Sequence, residues 1–510
     1  MANKPTALVI GAGIGGIATA ARLAKNGFQV TVLEKNDKPG GRCNQIIKDG
    51  HRFDIGPTLF LMPEVFAETY AALGETMGHH LDLKRIDPTY KVHFDDGLRL
   101  QLTSDIGVMQ EQLDKVEPGA FGGFLRYIAE GNKHYKVSLE KFVGRNFKNI
   151  FEYFSLTNLP LLFQLKALLK HYSNVGNFFK DERLKAAFTF QNMYLGLSPY
   201  DAPATYSLLQ YTELADGIWY PIGGMYRVIE TLTAIAEKLG VRFVYNSPVT
   251  AIKAEGNRVH TVETADGRSW EADTFVGNAD LPYIYKELLP KNNESAKLEK
   301  KSYTCSTIMF YWGVDKTYPQ IAHHNVFLAG DYKTSFDNIF KQHELPEKPS
   351  FYVHAPTRTD PSAAPEGEDT LYVLVPVGHL DESNRQDWPA LVNRAREFVF
   401  ERLAVELGAD DLREHIKFEE INTPLTWKEQ FNLEKGAAFG LSHNFTQVGY
   451  LRPQNRHAQF KNLYFTGAST HPGTGLPIVL LSARLTTQRI LEEMGTIAVQ
   501  NVSKEHVMAH

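Results

Sequence analysis

The first 35 residues constrain the fold more than any other stretch. Ala7-Leu8-Val9-Ile10 is a short, wholly apolar run, the pattern of a strand buried on both faces of a parallel sheet. Gly11-Ala12-Gly13-Ile14-Gly15-Gly16 follows without a gap. Ile14, Ile17, Ala18, Ala21 and Ala24 then recur at helical spacing until Asn26-Gly27, a helix stop. Val30-Thr31-Val32-Leu33 reads as a second strand with Glu34 at its end. Gly11 permits the tight turn, Gly13 lets backbone N–H groups approach a pyrophosphate, and Gly16 lets helix and strand pack closely. The helix N-terminus adds partial positive charge, and Glu34 stands where a ribose-binding acid belongs. A glycine-rich turn alone says little; strand, turn, helix, strand and acid in register predict a dinucleotide site.

At 510 residues the chain has material for two or three domains. Lys and Arg number 54 against 59 Asp and Glu, a net charge of −5, so no global charge argues for nucleic acid. The two cysteines, Cys43 and Cys305, are too few and too separated for a disulfide framework or a metal site, which fits a reducing compartment. The first strand begins so early that no signal peptide is expected, and no apolar stretch reaches the ~18 residues of a spanning helix. Any membrane contact is therefore expected to be peripheral.

After Glu34-Lys35 comes Pro39-Gly40-Gly41-Arg42. It is either a loop with a surface arginine or a close backbone approach to a cofactor, with Arg42 near phosphates or flavin. Residues 44–48 and 52–55 flank Asp49-Gly50-His51, a hairpin signal, before Gly56-Pro57-Thr58. Near the end, Gly467-Ala468-Ser469-Thr470-His471-Pro472-Gly473-Thr474-Gly475 links a strand at 463–465 to a helix opening at Leu476-Pro477. These motifs together resemble bacterial carotenoid desaturases, the phytoene and diapophytoene desaturases, which are relatives of the flavin amine oxidases. The likeness runs from about residue 6 to about residue 493. The early motifs are shared by many flavoenzymes, whereas the Thr-His-Pro-Gly stretch is more specific.

The resemblance implies an α/β fold: a discontinuous, glutathione reductase-like Rossmann-type FAD-binding domain, a mixed β-sheet substrate domain and a helical membrane-docking subdomain. The FAD-binding parts are expected at 1–75, 219–290 and 460–495, and the substrate domain at 76–104 and 291–459. The helical subdomain is expected at 105–218 and a flexible tail at 496–510. FAD is the implied cofactor. Gly11, Gly13, Gly16, Glu34, Lys35, Gly41, Arg42, Gly56, Pro57, Thr58, Gly467, Ser469, Thr470 and Pro477 are its expected contacts. By analogy alone, the Val249 backbone meets the adenine and Gly277-Asn278-Ala279-Asp280 passes near the adenosine. Many relatives carry an Asp after the late-loop glycine to hold the ribityl chain. Here Ala468-Ser469 stands instead, and backbone or Ser469 contacts are the expected substitute. His471 has a structural and a catalytic reading; no proton acceptor stands out.

Residues 158–172 begin at Asn158-Leu159-Pro160 and place Leu161, Leu162, Leu165, Leu168, Leu169 and Tyr172 on one face of a predicted helix. Upstream, Lys133, Lys136, Lys141, Arg145 and Lys148 make a basic stretch. Such a stripe is either a core face or an interfacial helix on anionic lipid. The resemblance favours the second, because these desaturases act on membrane-dissolved hydrocarbons. Phe188 to Leu197 and Tyr206 to Tyr211 either line a substrate tunnel or pack as ordinary helices. The leading expectation is an FAD-dependent desaturase of a linear isoprenoid, phytoene or its C30 analogue, with hydride passing to the flavin. A quinone or oxygen is the candidate electron acceptor, and the expected location is cytoplasmic, peripherally attached to the membrane. Alternatives are a later-acting carotenoid oxidase or isomerase, and a non-catalytic prenyl-binding chaperone.

Overall fold

Five short apolar strands from three distant parts of the chain pair in one parallel sheet. Their spatial order is Leu463–Phe465, Thr274–Gly277, Thr6–Ile10, Gln29–Leu33 and Arg242–Val244. This computed structural model describes residues 4–147, 149–290, 292–382 and 385–495. Successive side chains of a strand point to opposite faces, and both faces here are covered. Ala7, Val9, Val30 and Val32 pack in the cluster that holds Ile17, Ala18 and Ala21 of helix Ile14–Lys25 and Val228 and Leu232 of helix Tyr226–Lys238. Leu8, Ile10, Leu33 and Phe275 pack on the other side with Ile252 and Val262 of a three-stranded antiparallel sheet.

A second, seven-stranded mixed sheet has the order Ile416–Asn422, Ser306–Val314, Asp369–Val377, Phe351–His354, His324–Phe327, Tyr90–His93, Arg99–Leu102. Its pairs are antiparallel except the parallel junction of Asn325 to Phe327 with Lys91 to His93. Helix Trp388–Leu407 covers one face with Val392, Ala395, Val399 and Leu403, the 3–4 spacing of an apolar stripe. The hairpin at 45–54 turns through Asp49 and Gly50, both at positive φ, as a two-residue type I′ turn requires.

Between residues 106 and 216 the chain is helical, but 158–172 is not the single helix that its spacing predicts. Helix Leu159–Gln164 stops after six residues, and a separate helix, His171–Val175, follows. Proline at the start behaves as expected; the end is set by tertiary contacts. Lys166 takes φ 51° while its ammonium donates to Glu130 Oε2 (2.6 Å) and Asn174 Oδ1 (2.9 Å). Pulling that charge inward turns the chain, so Leu165 is buried while Phe163 and Leu168 are 74% and 67% exposed. Lys148 of the basic stretch and the predicted tail at 496–510 lie outside the described residues. Among the described residues, no helix is long and apolar enough to cross a membrane.

Candidate functional site

The turn after the first strand is built as its spacing demands. Gly11 sits at φ 99°, open to glycine at little strain, and a Cβ on Gly16 would lie 2.1 Å from the Gly11 carbonyl oxygen. Helix Ile14–Lys25 begins at Gly13 with no side-chain cap, so its first N–H groups face the space beside the turn. Glu34, buried, accepts from the N–H of Ala12 (2.7 Å) and of Asn36 (2.9 Å). Burial pushes its pKa up, and those two N–H groups oppose the rise.

Residues far apart in sequence close around this turn. Asn278 donates from Nδ2 to the Gly11 carbonyl (3.1 Å), and its Oδ1 would stand 3.5 Å from a Cβ on Gly467. The second helix, Leu476–Glu493, also starts without a side-chain cap, at Gly475, with Pro477 in its first turn. Both uncapped N-termini line one cavity of about 610 Å³. Of the expected contact residues, all but Gly16 line that cavity: Gly11, Gly13, Glu34, Lys35, Gly41, Arg42, Gly56, Pro57, Thr58, Val249, Gly467, Ser469, Thr470 and Pro477. Gly16 lies behind the turn, where its role is packing. Lys35 Nζ donates to the carbonyl of Glu429 and to Asn432 Oδ1 (both 3.0 Å). Arg42 donates to the Ala438 carbonyl (2.8 Å).

A carboxylate from a distant part of the chain reaches the late loop. Ser469 Oγ donates to Asp280 Oδ1 (2.6 Å), and Asp280 is buried, lines the cavity and faces the Arg42 charge. Burial raises its pKa while Ser469 and Arg42 pull it down. Position 280 falls in the segment that the resemblance places near the adenosine; no local signal ties it to Ser469, because the partners are 189 residues apart.

These features fit a flavin adenine dinucleotide. Two uncapped helix N-termini suit its pyrophosphate and the electron-rich edge of its ring. The Glu34 carboxylate suits a ribose diol, and Thr466 Oγ1, buried without a partner on the cavity wall, awaits an acceptor or donor. Residues 14–491 match the family of flavin containing amine oxidoreductases. The chain belongs to that family. It is 49% identical to the zeta-carotene-forming phytoene desaturase of Myxococcus xanthus, over 95% of this chain and 93% of the relative. It is 33% identical to the 4,4'-diapophytoene desaturase (4,4'-diaponeurosporene-forming) of Staphylococcus haemolyticus, over 95% and 98%. An oxidoreductase of Methanosarcina mazei shares the fold, with TM-score 0.62 and 18% identity over 96% of this chain and 100% of that one. The protein is therefore a flavoprotein oxidoreductase with FAD as its cofactor.

Beyond the nucleotide end of this flavoprotein, the cavity becomes apolar. Phe190, Met193, Tyr194, Leu195, Tyr206 and Leu209 line it, from the stretches Phe188 to Leu197 and Tyr206 to Tyr211. Tyr332, Phe336, Tyr352 and Trp427 join them from the substrate-domain side, and Phe142, Tyr153, Leu162 and Leu165 from the helical side. The only Asp, Glu, Lys or Arg side chains lining the cavity, among the described residues, are Glu34, Lys35, Arg42 and Asp280.

His471 lines the cavity and also makes a structural tie. The Arg145 carbonyl can only accept, so Nε2–H donates to it (3.0 Å) and ties the late loop to the helical segment. Burial lowers its pKa to about 4. Sequence reasoning missed a second layer behind Thr58. Its hydroxyl bonds the Tyr352 hydroxyl (2.9 Å), which bonds His324 Nδ1 (2.6 Å). His324, His323 and His354 form a buried trio with one nitrogen of each within 4.8 Å of the others. Burial holds all three neutral, and the Arg358 guanidinium near His323 disfavours a dication there.

Proposed function

We propose that this flavoprotein introduces C=C bonds into a linear carotenoid precursor, with phytoene favoured over its C30 analogue. The observation that carries this is the single cavity that joins the nucleotide grip to an apolar, aromatic-walled chamber. The greater likeness to phytoene desaturases than to the diapophytoene enzymes supports the longer substrate.

A bound flavin would supply the hydride acceptor for an allylic CH₂–CH₂ unit. The chain's own residues do the rest by positioning and by excluding water. Phytoene offers no polar handle, so Phe190, Met193, Tyr332 and Phe336 must hold it by shape. Arg42, Glu34, Asp280 and the helix ends would hold the cofactor against them. Burying a CH₂ from water is worth about 0.8 kcal/mol, hence on the order of tens of kcal/mol for a C40 chain. Transfer from lipid to tunnel gains little, because lipid tails are equally apolar. A substrate that cannot cross water must therefore enter from a bilayer.

This favours peripheral attachment to the cytoplasmic membrane, with a membrane quinone, or else oxygen, as the electron acceptor. The support is a cluster of bare apolar side chains. Half of the large exposed hydrophobics among the described residues fall between 150 and 169, including Phe151 (84% exposed) and Leu156 (88%). Leu162, Leu165 and Ala167 of that same stretch line the cavity. Expression in bacteria that accumulate phytoene, and separately diapophytoene, tests the assignment. Coloured polyenes are expected in the phytoene strain; colourless cells in both strains would overturn it.

A further inference from the structure

Desaturation removes two hydrogens, and the flavin takes only one of them as hydride. The other must leave the neighbouring carbon as a proton, which needs an acceptor at the apolar end of the cavity. Glu34 and Asp280 belong to the nucleotide end. His443 and His471 also line the cavity, but burial and the buried Arg452 charge hold both neutral and make them weak bases.

Glu213 lies just behind the apolar wall. It is fully buried, and among the described residues no lysine, arginine or histidine forms an ion pair with it. A carboxyl without a cation is costly in a core, where a neutral side chain would serve packing better. Its partners form a file leading to the cavity. Tyr194, which lines the cavity, donates its hydroxyl to Tyr90, and Tyr90 donates to Glu213 Oε1 (3.5 Å). Gln191 Nε2 donates to the other oxygen (3.2 Å). An ionised carboxylate only accepts, so Tyr90 donates to it and is left to accept from Tyr194, the polarity that proton transfer from the cavity needs.

We propose that Tyr194 receives the substrate proton and that Glu213, acting through Tyr90, is its terminal acceptor. This rests on the desaturase reading above and completes its atom balance. One C–H bond gives its electron pair and hydrogen to the flavin as hydride. The adjacent C–H bond leaves its electrons in the new C=C, and its proton goes to the Tyr194 oxygen. Tyr194 passes its own proton to Tyr90, and Tyr90 passes its proton to Glu213. The substrate loses a hydride and a proton, and one carboxylate becomes a carboxyl.

The ionisable groups facing Glu213 are Tyr90 from the strand Tyr90–His93, Tyr194 from the turn Phe190–Leu195 and Tyr127 from helix Ala120–Ser138; His324 and Tyr352 stand one layer further, against Tyr90. None is a cation, and burial lifts the Glu213 pKa to about 8. Only the carboxylate accepts a proton, so turnover should rise with pH through about 8 and level off above it.

The test is anaerobic reduction of the protein-bound flavin by phytoene in liposomes, followed by absorbance across pH. Glu213→Gln keeps the shape and should slow reduction about 100-fold, within the range of general base catalysis, and abolish the rising limb. Tyr194→Phe, which breaks the file at its cavity end, should do the same even if the Gln variant folds poorly. Independently of turnover, infrared difference spectra should show a buried carboxyl titrating near pH 8 that vanishes in Glu213→Gln. If wild-type flavin is not reduced by phytoene, the desaturase reading falls and this proposal with it. If wild type reacts and both variants react equally fast with the same pH profile, only the proton route is overturned.

Discussion

The two ends of the cavity are built by opposite strategies. The nucleotide end is made of backbone: glycine turns, uncapped helix N-termini and a few carboxylates held by N–H groups. The apolar end is made of side chains gathered from widely separated segments, among them Leu162, Phe190, Tyr332 and Trp427. A charged, defined ligand needs donors at fixed positions, which short local motifs provide. A long hydrocarbon needs only a dry surface of the right shape, which many side-chain combinations satisfy. The first end is consequently intolerant of small changes, and the second should tolerate many.

Four experiments would break or sharpen that contrast. The largest effect is expected at Gly16, where even alanine drives a Cβ to 2.1 Å from the Gly11 carbonyl oxygen. Gly16→Ala should be isolated without flavin absorbance; a fully flavinylated variant would show that the turn is not the grip. Next comes the exposed apolar segment. Replacing Phe151, Leu156, Phe163 and Leu168 together with serine should abolish co-sedimentation with anionic liposomes and leave flavin content unchanged. Each side chain buried in lipid is worth about 1.5–3 kcal/mol, so the combined loss should be unmistakable. Retained sedimentation would retire the docking surface.

The third experiment exploits the pH linkage of Glu213. Its pKa is lifted from 4.5 to about 8, so the folded state holds the proton more tightly than the unfolded chain does. Folding stability from this group is therefore intact below pH 4.5 and declines as pH rises to about 8. At 1.36 kcal/mol per pKa unit, the loss is on the order of 4–5 kcal/mol. Urea unfolding at pH 8 should find Glu213→Gln more stable than wild type, with the advantage shrinking toward pH 5. An equal or lower stability at pH 8 would mean the carboxylate has a partner. The smallest effect is expected at Glu34. Glu34→Gln keeps its shape but loses the charge that strengthens its hydrogen bonds, so flavin affinity should fall by about 1–3 kcal/mol in a titration of apoprotein. No loss would remove Glu34 from the ribose site.

Much of this protein is legible in its sequence wherever the physics is local. The first strand, glycine turn and helix are readable because the turn, the helix and the acid at the next strand's end obey spacing rules within about 30 residues. The hairpin at 45–54 and helix Trp388–Leu407 are readable for the same reason: turn chemistry and apolar period are written in neighbouring residues. The family likeness followed from such local motifs.

Only the tertiary structure decided the rest. The stripe at 158–172 has a helical period, yet the ammonium of Lys166 bends the chain toward Glu130, a residue on another helix. The carboxylate beside Ser469 comes from Asp280, and the file from Tyr194 through Tyr90 to Glu213 joins residues more than 100 positions apart. Periodicity and capping are properties of a segment. Where a buried charge finds its partner, and which wall a side chain joins, are properties of segments brought together, and no local pattern carries them.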